Sequence, residues 1–581
     1  MKYLLLVFFS FPGISSSQLY AQQQTENVII NSILDEINDF NNEQYANRDP
    51  HKPLGGPDLI RFKDRYKFNL QMLDKLTTQI DADTLKFDDY ISWELLRFTL
   101  HNDIQNYEFK EYFNPILSES GFHTNVLWRA NRTYQSAEQL EQYLTVLEDL
   151  PRYFDDHVEL MRRGLELGIS QPLDGLQNYE ATYDPYIVDD PESSIFWRPF
   201  ASKPDEIQQE EWDFLQSTAR EVINEYATPA YENLKLFFEN EYYPKARPDL
   251  GASSIPNGKA YYEHKVRYYT TLDLTPDEVH EMGLNEVSRI RKEMEAIIAD
   301  VGFDGSFSEF IEFLRTDPQF YPETGEELLK EASFIAKKVD GRLPSLFGLL
   351  PRQPYGVVPV PDYLAPNYTG GRYSGAPLHS DRGGEYWVNT YNLPSRTLYT
   401  LPALTLHEAM PGHHLQIALT AEMETLPTFR RNMYINAFGE GWGLYAEYLG
   451  HELGIYETPY ELFGRYTYEM WRACRLVIDT GIHYKGWSRD EAVKYLADNS
   501  ALSLHEVNTE INRYITWPGQ ALAYKVGEMT IKRLREKAEN ELGNNFDVKE
   551  FHDLILSKGT VTMSILEEVV DRYIQTKNSS D

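Results

Sequence analysis

Residues 407–416 read HEAMPGHHLQ, and three of the 14 histidines in the chain fall within the first eight of them. In an H-E-x-x-H helix two imidazoles four residues apart share one face and hold a zinc ion, while the intervening Glu reaches the water beside it. Here the fourth position after His407 is Pro411. Proline returns no hydrogen bond to the carbonyl of His407 and crowds the preceding turn, so the helix has to break or bulge there. If Met410 and Pro411 act as a two-residue insertion, His413 takes the second ligand position and His414 stands beside it. On an unbroken helix His414 would return to the same face but about 10 Å along the axis, too far to share an ion. His407 and His413 are therefore the expected ligands and Glu408 the expected general base, with His414 the competing choice for the second imidazole.

A third ligand is expected from another helix, leaving a fourth place for water. The segment FGEGWGLYAE, residues 438–447, fits this: Glu440 sits among glycines that permit close approach, and Glu447 lies seven residues on, near the same face. Glu440 is the expected ligand and Glu447 the carboxylate that orients a ligand histidine. The implied cofactor is one Zn2+ ion.

Working outward, the flanking sequence is mostly helical in period. In Ser136-AEQLEQYLTVLEDL, Leu140, Tyr143, Leu144 and Leu147 share one face, Ser136 with Gln139 offers a cap, and Pro151 stops the pattern. Thr275-PDE and Ser306 with Glu309 read as helix starts. Between Pro351 and Pro394 proline, glycine and tyrosine dominate, and Glu385-YWVNTYN alternates like a strand, which predicts a small sheet beside the site. The stretch PKARPDLGASSIPNG, residues 244–258, is the candidate boundary between an N-terminal helical lobe (22–250) and a catalytic helical lobe (251–581).

The chain has 581 residues, 42% hydrophobic and 14% aromatic, so a large core is available. Its net charge of −35 argues against nucleic acid as a partner, because phosphate binding needs a basic footprint. MKYLLLVFFSF followed by small and polar residues to Ala21 reads as an export signal, too short for a good membrane span. The protein is expected in the periplasm or outside the cell, without stable membrane insertion once the signal is removed. No cysteine near this segment offers a lipid anchor, and the single Cys474 excludes an internal disulfide.

The sequence resembles the bacterial exported proteins grouped as domain-of-unknown-function 885, many of them lipoproteins. The resemblance covers nearly the whole chain after Ala21 and is carried by YYEHKVRYYTTLDLTPDEVHEMG from Tyr261, GEYWVNTYN from Gly384, HEAMPGHHLQ from His407, FGEGWGLYAE from Phe438, RLVIDTGIHYKGW from Arg475 and RYITWPGQALAYKVG from Arg513. That family is similar to the helical zinc peptidases (gluzincins) such as thimet oligopeptidase, carboxypeptidase Taq and angiotensin-converting enzyme. The likeness implies a mainly α, two-lobed zincin-like fold around a deep channel and cleavage of short peptides. The Met410–Pro411 insertion departs from those peptidases.

An oxyanion formed during hydrolysis needs a donor besides the metal, and Tyr514, Tyr524 and His483 are the candidates. Arg513 and Lys525 could bind a substrate carboxylate, and Asn389 could pair with an extended peptide. Two rival readings remain: a metal-binding exported protein without turnover, and a zinc amidase for a non-peptide substrate. Retention of Glu408 beside His407 favours a hydrolase, since structural zinc needs no base. Oligomeric state is not encoded in any pattern found.

Overall fold

The computed structural model describes residues 25–46, 49–362, 364–378 and 380–579. The apolar run read as an export signal lies outside them. Helix makes up 69% of the structure and strand 4%, so the chain is mainly α. No described helix is long and apolar enough to cross a membrane.

Local signals set most helix boundaries. Ser136 caps the helix Ala137–Glu148, whose Leu140, Tyr143, Leu144 and Leu147 are all buried. Pro151 does not simply end that pattern: it stands in the first turn of the next helix, Leu150–Glu166, where a missing N–H costs little. These helices belong to an aromatic-rich core drawn from residues 116–242. Ahead of them, α1 (Phe87–Glu108) sends Ile91 and Leu95 into the core of the C-terminal half, and Tyr90 donates to Glu568 at 3.0 Å. A two-residue hairpin, β1 (Ile116–Leu117) and β2 (Ser120–Gly121), follows.

The helix α2 (Pro276–Asp300) begins with a reciprocal cap between Thr275 and Glu278, as its sequence predicts. The three-stranded sheet comes next: β3 (Tyr355–Pro359), β4 (Gly371–Ser374) and β5 (Gly384–Val388). β5 is central, parallel to β3 and antiparallel to β4, which leaves β4 as an edge. Tyr386 and Val388 alternate inward as the sequence pattern required.

The rest of the chain is helical: α3 (Leu401–Glu408), α4 (His413–Glu422), α5 (Asn436–Leu449), α6 (Pro459–Thr480), α7 (Leu504–Thr516) and α8 (Ala523–Leu542). α2 packs along α6 through Ile290 and Met294 against Cys474, Val477 and Ile478, and α5 meets α8 through Trp442, Ile531 and Leu534. Cys474 is fully buried, and burial pushes its thiol well above the ordinary range, as suits a packed apolar side chain. Where α2, α6 and α8 converge, the buried ammonium of Lys525 bonds Glu469 at 2.7 Å, Glu528 at 2.8 Å and Glu286 at 2.9 Å.

Candidate metal centre

The break demanded by Pro411 is present. α3 ends at Glu408, the chain turns through residues 409–412 with a cis Met410–Pro411 bond, and α4 starts at His413. The turn is pinned by Trp442 Nε1 donating to the Pro411 carbonyl at 2.8 Å and by His414 N–H donating to Ala409 at 3.1 Å. Gly412 is needed here, because a Cβ at that position would stand 1.9 Å from the His407 carbonyl oxygen.

This turn brings the His413 ring beside that of His407, with centroids 4.8 Å apart and planes at 89°. Glu440, one turn into α5, reaches both: its Oε2 is 3.5 Å from His407 Nε2 and 3.4 Å from His413 Nε2. Among the described residues, these three side chains offer ligand atoms that all lie within 4.8 Å of one another. Tetrahedral donors around zinc with bonds near 2.0–2.1 Å are separated by about 3.3 Å, which is the spacing found to Glu440. The donor set, two imidazoles and a carboxylate, also suits zinc. The residues present therefore fit the ion.

Behind His407, Nδ1 donates to Glu447 Oε1 at 2.8 Å, which fixes the tautomer and points Nε2 at Glu440. Both partners are almost wholly buried, and a Cβ on Gly443 would meet the His407 ring at 2.7 Å. Burial disfavours a charged His407 ring, yet the Glu440 and Glu447 carboxylates raise it to about 10. For Glu440 burial again works against the charge, but His413 and His407 hold its carboxyl well below the usual range. The triad thus holds a proton that a divalent cation would have to displace. Tyr434 donates to the other oxygen of Glu440 at 3.1 Å.

Glu408 is buried at the end of α3, and its Oε2 accepts the N–H of Tyr373 on β4 at 2.8 Å. The edge strand thereby holds the carboxylate beside the triad. His414 takes a different place: its Nδ1 is 2.9 Å from the Tyr373 hydroxyl, its ring packs on Tyr355, and burial lowers its pKa to about 4. It supports the strand that holds Glu408, and His413 is the imidazole that joins His407 and Glu440.

The two tyrosine candidates separate. The ring of Tyr524 lies 6.5 Å from that of His407, near parallel at 20°, with the Arg475 guanidinium 4.3 Å above it. Its hydroxyl accepts from Arg513 at 3.4 Å. Tyr514 lies deeper, its hydroxyl accepting from both Trp471 Nε1 and Arg475 Nε at 2.8 Å. Arg513 stays next to Tyr524, also paired with Glu510 at 3.2 Å.

Three further candidates are not brought to the triad. His483 is fully buried, with Nδ1 accepting from Ala252 N–H at 3.0 Å and Nε2 2.9 Å from the Tyr514 carbonyl. Lys525 is consumed by its three carboxylates in the helical core. Asn389 is fully buried and spends its amide on the carbonyls of Ala365, Tyr368 and Thr369, organising the loop that leads into β4. Residues not singled out from the sequence also surround the site: Tyr434, Tyr373, Arg372 and Arg475. Only Tyr434, six residues before Glu440, had a positional cue.

The chain belongs to the family described as bacterial protein of unknown function (DUF885), whose model matches residues 52–570. Among solved structures it is similar to the putative lipoprotein from Colwellia psychrerythraea, with 27% identity, a TM-score of 0.78, and 89% of this chain and 92% of that one covered. A putative lipoprotein of unknown function from Shewanella oneidensis shares the fold at 18% identity and a TM-score of 0.67, covering 93% of this chain and 98% of that one. No curated protein matches the chain.

Proposed function

We propose that this protein is a zinc-dependent hydrolase that cleaves amide bonds of short peptides, built on a two-lobed zincin-like fold. The observation that carries the reading is the convergence of His407, His413 and Glu440 at ligand spacing, with Glu447 behind one imidazole and the Glu408 carboxylate fixed alongside. A structural site has no use for that last carboxylate.

His407, His413 and Glu440 would hold one zinc ion. When bound, the ion supplies Lewis acidity, lowering the pKa of a water and polarising the substrate carbonyl. Glu408 takes the proton from the attacking water as the new C–O bond forms. It delivers that proton to the leaving nitrogen as the C–N bond breaks, so the base is regenerated. The Tyr373 N–H keeps the Glu408 carboxylate aimed through both transfers. Tyr524 would be the donor to the oxyanion, a role supported by its ring 6.5 Å from that of His407 and by the Arg513 contact to its hydroxyl. An export signal at residues 1–21 and the lipoprotein descriptions of both structural neighbours support a place outside the cytoplasm.

Metal content of the purified protein, followed by digestion of a peptide mixture with wild type and Glu408→Gln, tests the reading. Zinc near one per chain and loss of digestion in Glu408→Gln are expected. Equal digestion by both proteins defeats it.

A further inference from the structure

The glycines on either side of Glu440 each make room for something different. α5 carries Gly439, Gly441 and Gly443, although glycine is a poor residue for a helix interior. Two of them serve packing: a Cβ on Gly441 would stand 2.6 Å from the Gly527 backbone on α8, and Gly443 clears the His407 ring. Gly439 clears Tyr434. A Cβ there would stand 2.4 Å from the Tyr434 hydroxyl oxygen and equally close to the ring carbon that bears it. The space so kept is used, because that hydroxyl donates to Glu440 Oε1 at 3.1 Å.

The segment that delivers Tyr434 is fastened on both sides. Before it, Arg430 is 1% exposed and its Nη2 donates to the Lys558 carbonyl at 2.8 Å, while Met433 N–H donates back to the Arg430 carbonyl at 3.3 Å. After it, Ile435 N–H donates to Thr560 Oγ1 at 3.1 Å. The hydroxyl position is thus set by residues 558–560 and not by Glu440 itself. The two oxygens of Glu440 are thereby divided: Oε2 faces His407 Nε2 at 3.5 Å and His413 Nε2 at 3.4 Å, and Oε1 accepts the phenol. Turning the carboxylate to present both oxygens to the imidazoles would break the bond to Tyr434, and a half-buried hydroxyl and carboxylate oxygen would each lose a partner.

We propose that Tyr434 is a positioning residue that limits Glu440 to one ligating oxygen, and so biases the centre towards zinc and against cations that seek more oxygen donors, such as Mn2+. Zinc is content with few donors, imidazole nitrogen among them, whereas Mn2+ favours octahedral, oxygen-rich surroundings in which a carboxylate gives both its oxygens. Withholding Oε1 therefore takes more from Mn2+ than from zinc. Tyr434 does this through Glu440, without touching substrate. The proposal rests on the metal-centre part of the hydrolase reading and is independent of turnover.

The test compares metal binding by wild type, Tyr434→Phe and Gly439→Ala, the last of which pushes the ring aside while keeping the hydroxyl in the chain. Zn2+ and Mn2+ affinities are measured by competition with indicator chelators. Co2+-loaded protein is read by its visible absorption, which is intense for tetrahedral cobalt and weak at higher coordination. Both variants should lose about 10- to 100-fold in zinc affinity, the range for loss of an outer partner, while Mn2+ affinity is kept or raised. The preference for zinc over Mn2+ should therefore narrow by at least about tenfold, and the cobalt bands should weaken. An unchanged preference overturns the proposal, as does an equal loss of both ions, which marks a damaged site and not a lost constraint. Thermal unfolding of the metal-free proteins identifies a variant that has not folded. A weak cobalt spectrum in wild type overturns the proposal without any variant. Wild type that takes up none of the three ions overturns the metal centre and this proposal together; wild type that binds zinc but leaves peptides intact overturns the hydrolase reading alone.

Discussion

Glu447→Gln isolates the contribution of the carboxylate behind His407, the proposed metal ligand. The exchange keeps the side-chain shape inside a site where Glu447 is 1% exposed, so packing against α6 is preserved. What it removes is the negative charge accepting the His407 Nδ1–H bond at 2.8 Å. The carboxamide can still offer an oxygen, but it no longer raises the basicity of the imidazole, and it leaves Arg472, 3.7 Å from the carboxylate, without its counter-charge. Loss of such an outer partner weakens metal binding by about 10- to 100-fold, equivalent to about 1.4–2.8 kcal/mol. Competition against a chromophoric zinc chelator near neutral pH measures this directly. Glu440→Gln, which removes a proposed ligand, should fall further. Thermal unfolding of the metal-free variants separates a change in affinity from a change in the fold. A Glu447→Gln protein that binds zinc within about twofold of wild type would refute the role assigned to this carboxylate.

Zinc uptake by the metal-free protein should expel the proton from His407, which is held up to about 10 by Glu440 and Glu447 despite burial; calorimetry in buffers of different ionisation enthalpy should show proton release, and affinity should rise by up to about tenfold per pH unit below that value. The same raised pKa stabilises the metal-free fold fully below the ordinary imidazole value of 6.5, and that stabilisation is lost as pH rises towards about 10, so the unfolding temperature should fall across this window; a flat profile contradicts it. Tyr524→Phe should reduce kcat by about 10²–10³ with little change in KM, as for loss of an oxyanion donor. Tyr514→Phe instead strips an acceptor from Trp471 and Arg475 and should cost about 1–3 kcal/mol of stability, read as a lower denaturation midpoint with folded-state activity retained. Gly443→Ala places a methyl against the His407 ring and should cost about 1–3 kcal/mol together with zinc affinity.

The candidate metal centre was legible because its chemistry is written locally. His407, Glu408 and His413 fall within seven residues, and proline at position 411 dictates that the turn between them be broken, which is how His413 rather than His414 arrives beside His407. Glu440 and Glu447 were readable because a seven-residue interval keeps both on nearly one face of α5, so Glu440 reaches His407 and His413 while Glu447 meets His407 Nδ1 from behind. The coarse architecture followed from the same kind of evidence: caps at Thr275 and Ser306, and alternation along β5.

Residues whose meaning depends on direction were not legible. Lys525, His483 and Asn389 are polar residues in suggestive segments, but a chain this large must satisfy buried polar groups, and those three are used up by Glu286, Glu469 and Glu528, by backbone atoms, and by a loop. Sequence reports that a donor exists, and only packing decides whether it is already bonded. The converse holds at the edge of the metal centre. Tyr373 lies in a segment with no catalytic pattern, yet its N–H on edge strand β4 holds the Glu408 carboxylate at 2.8 Å and its hydroxyl meets His414 Nδ1 at 2.9 Å. A backbone N–H on the open side of an edge strand has no neighbouring strand to pair with, so it can fix a carboxylate instead, and that use shows only once the strand order β3-β5-β4 is known.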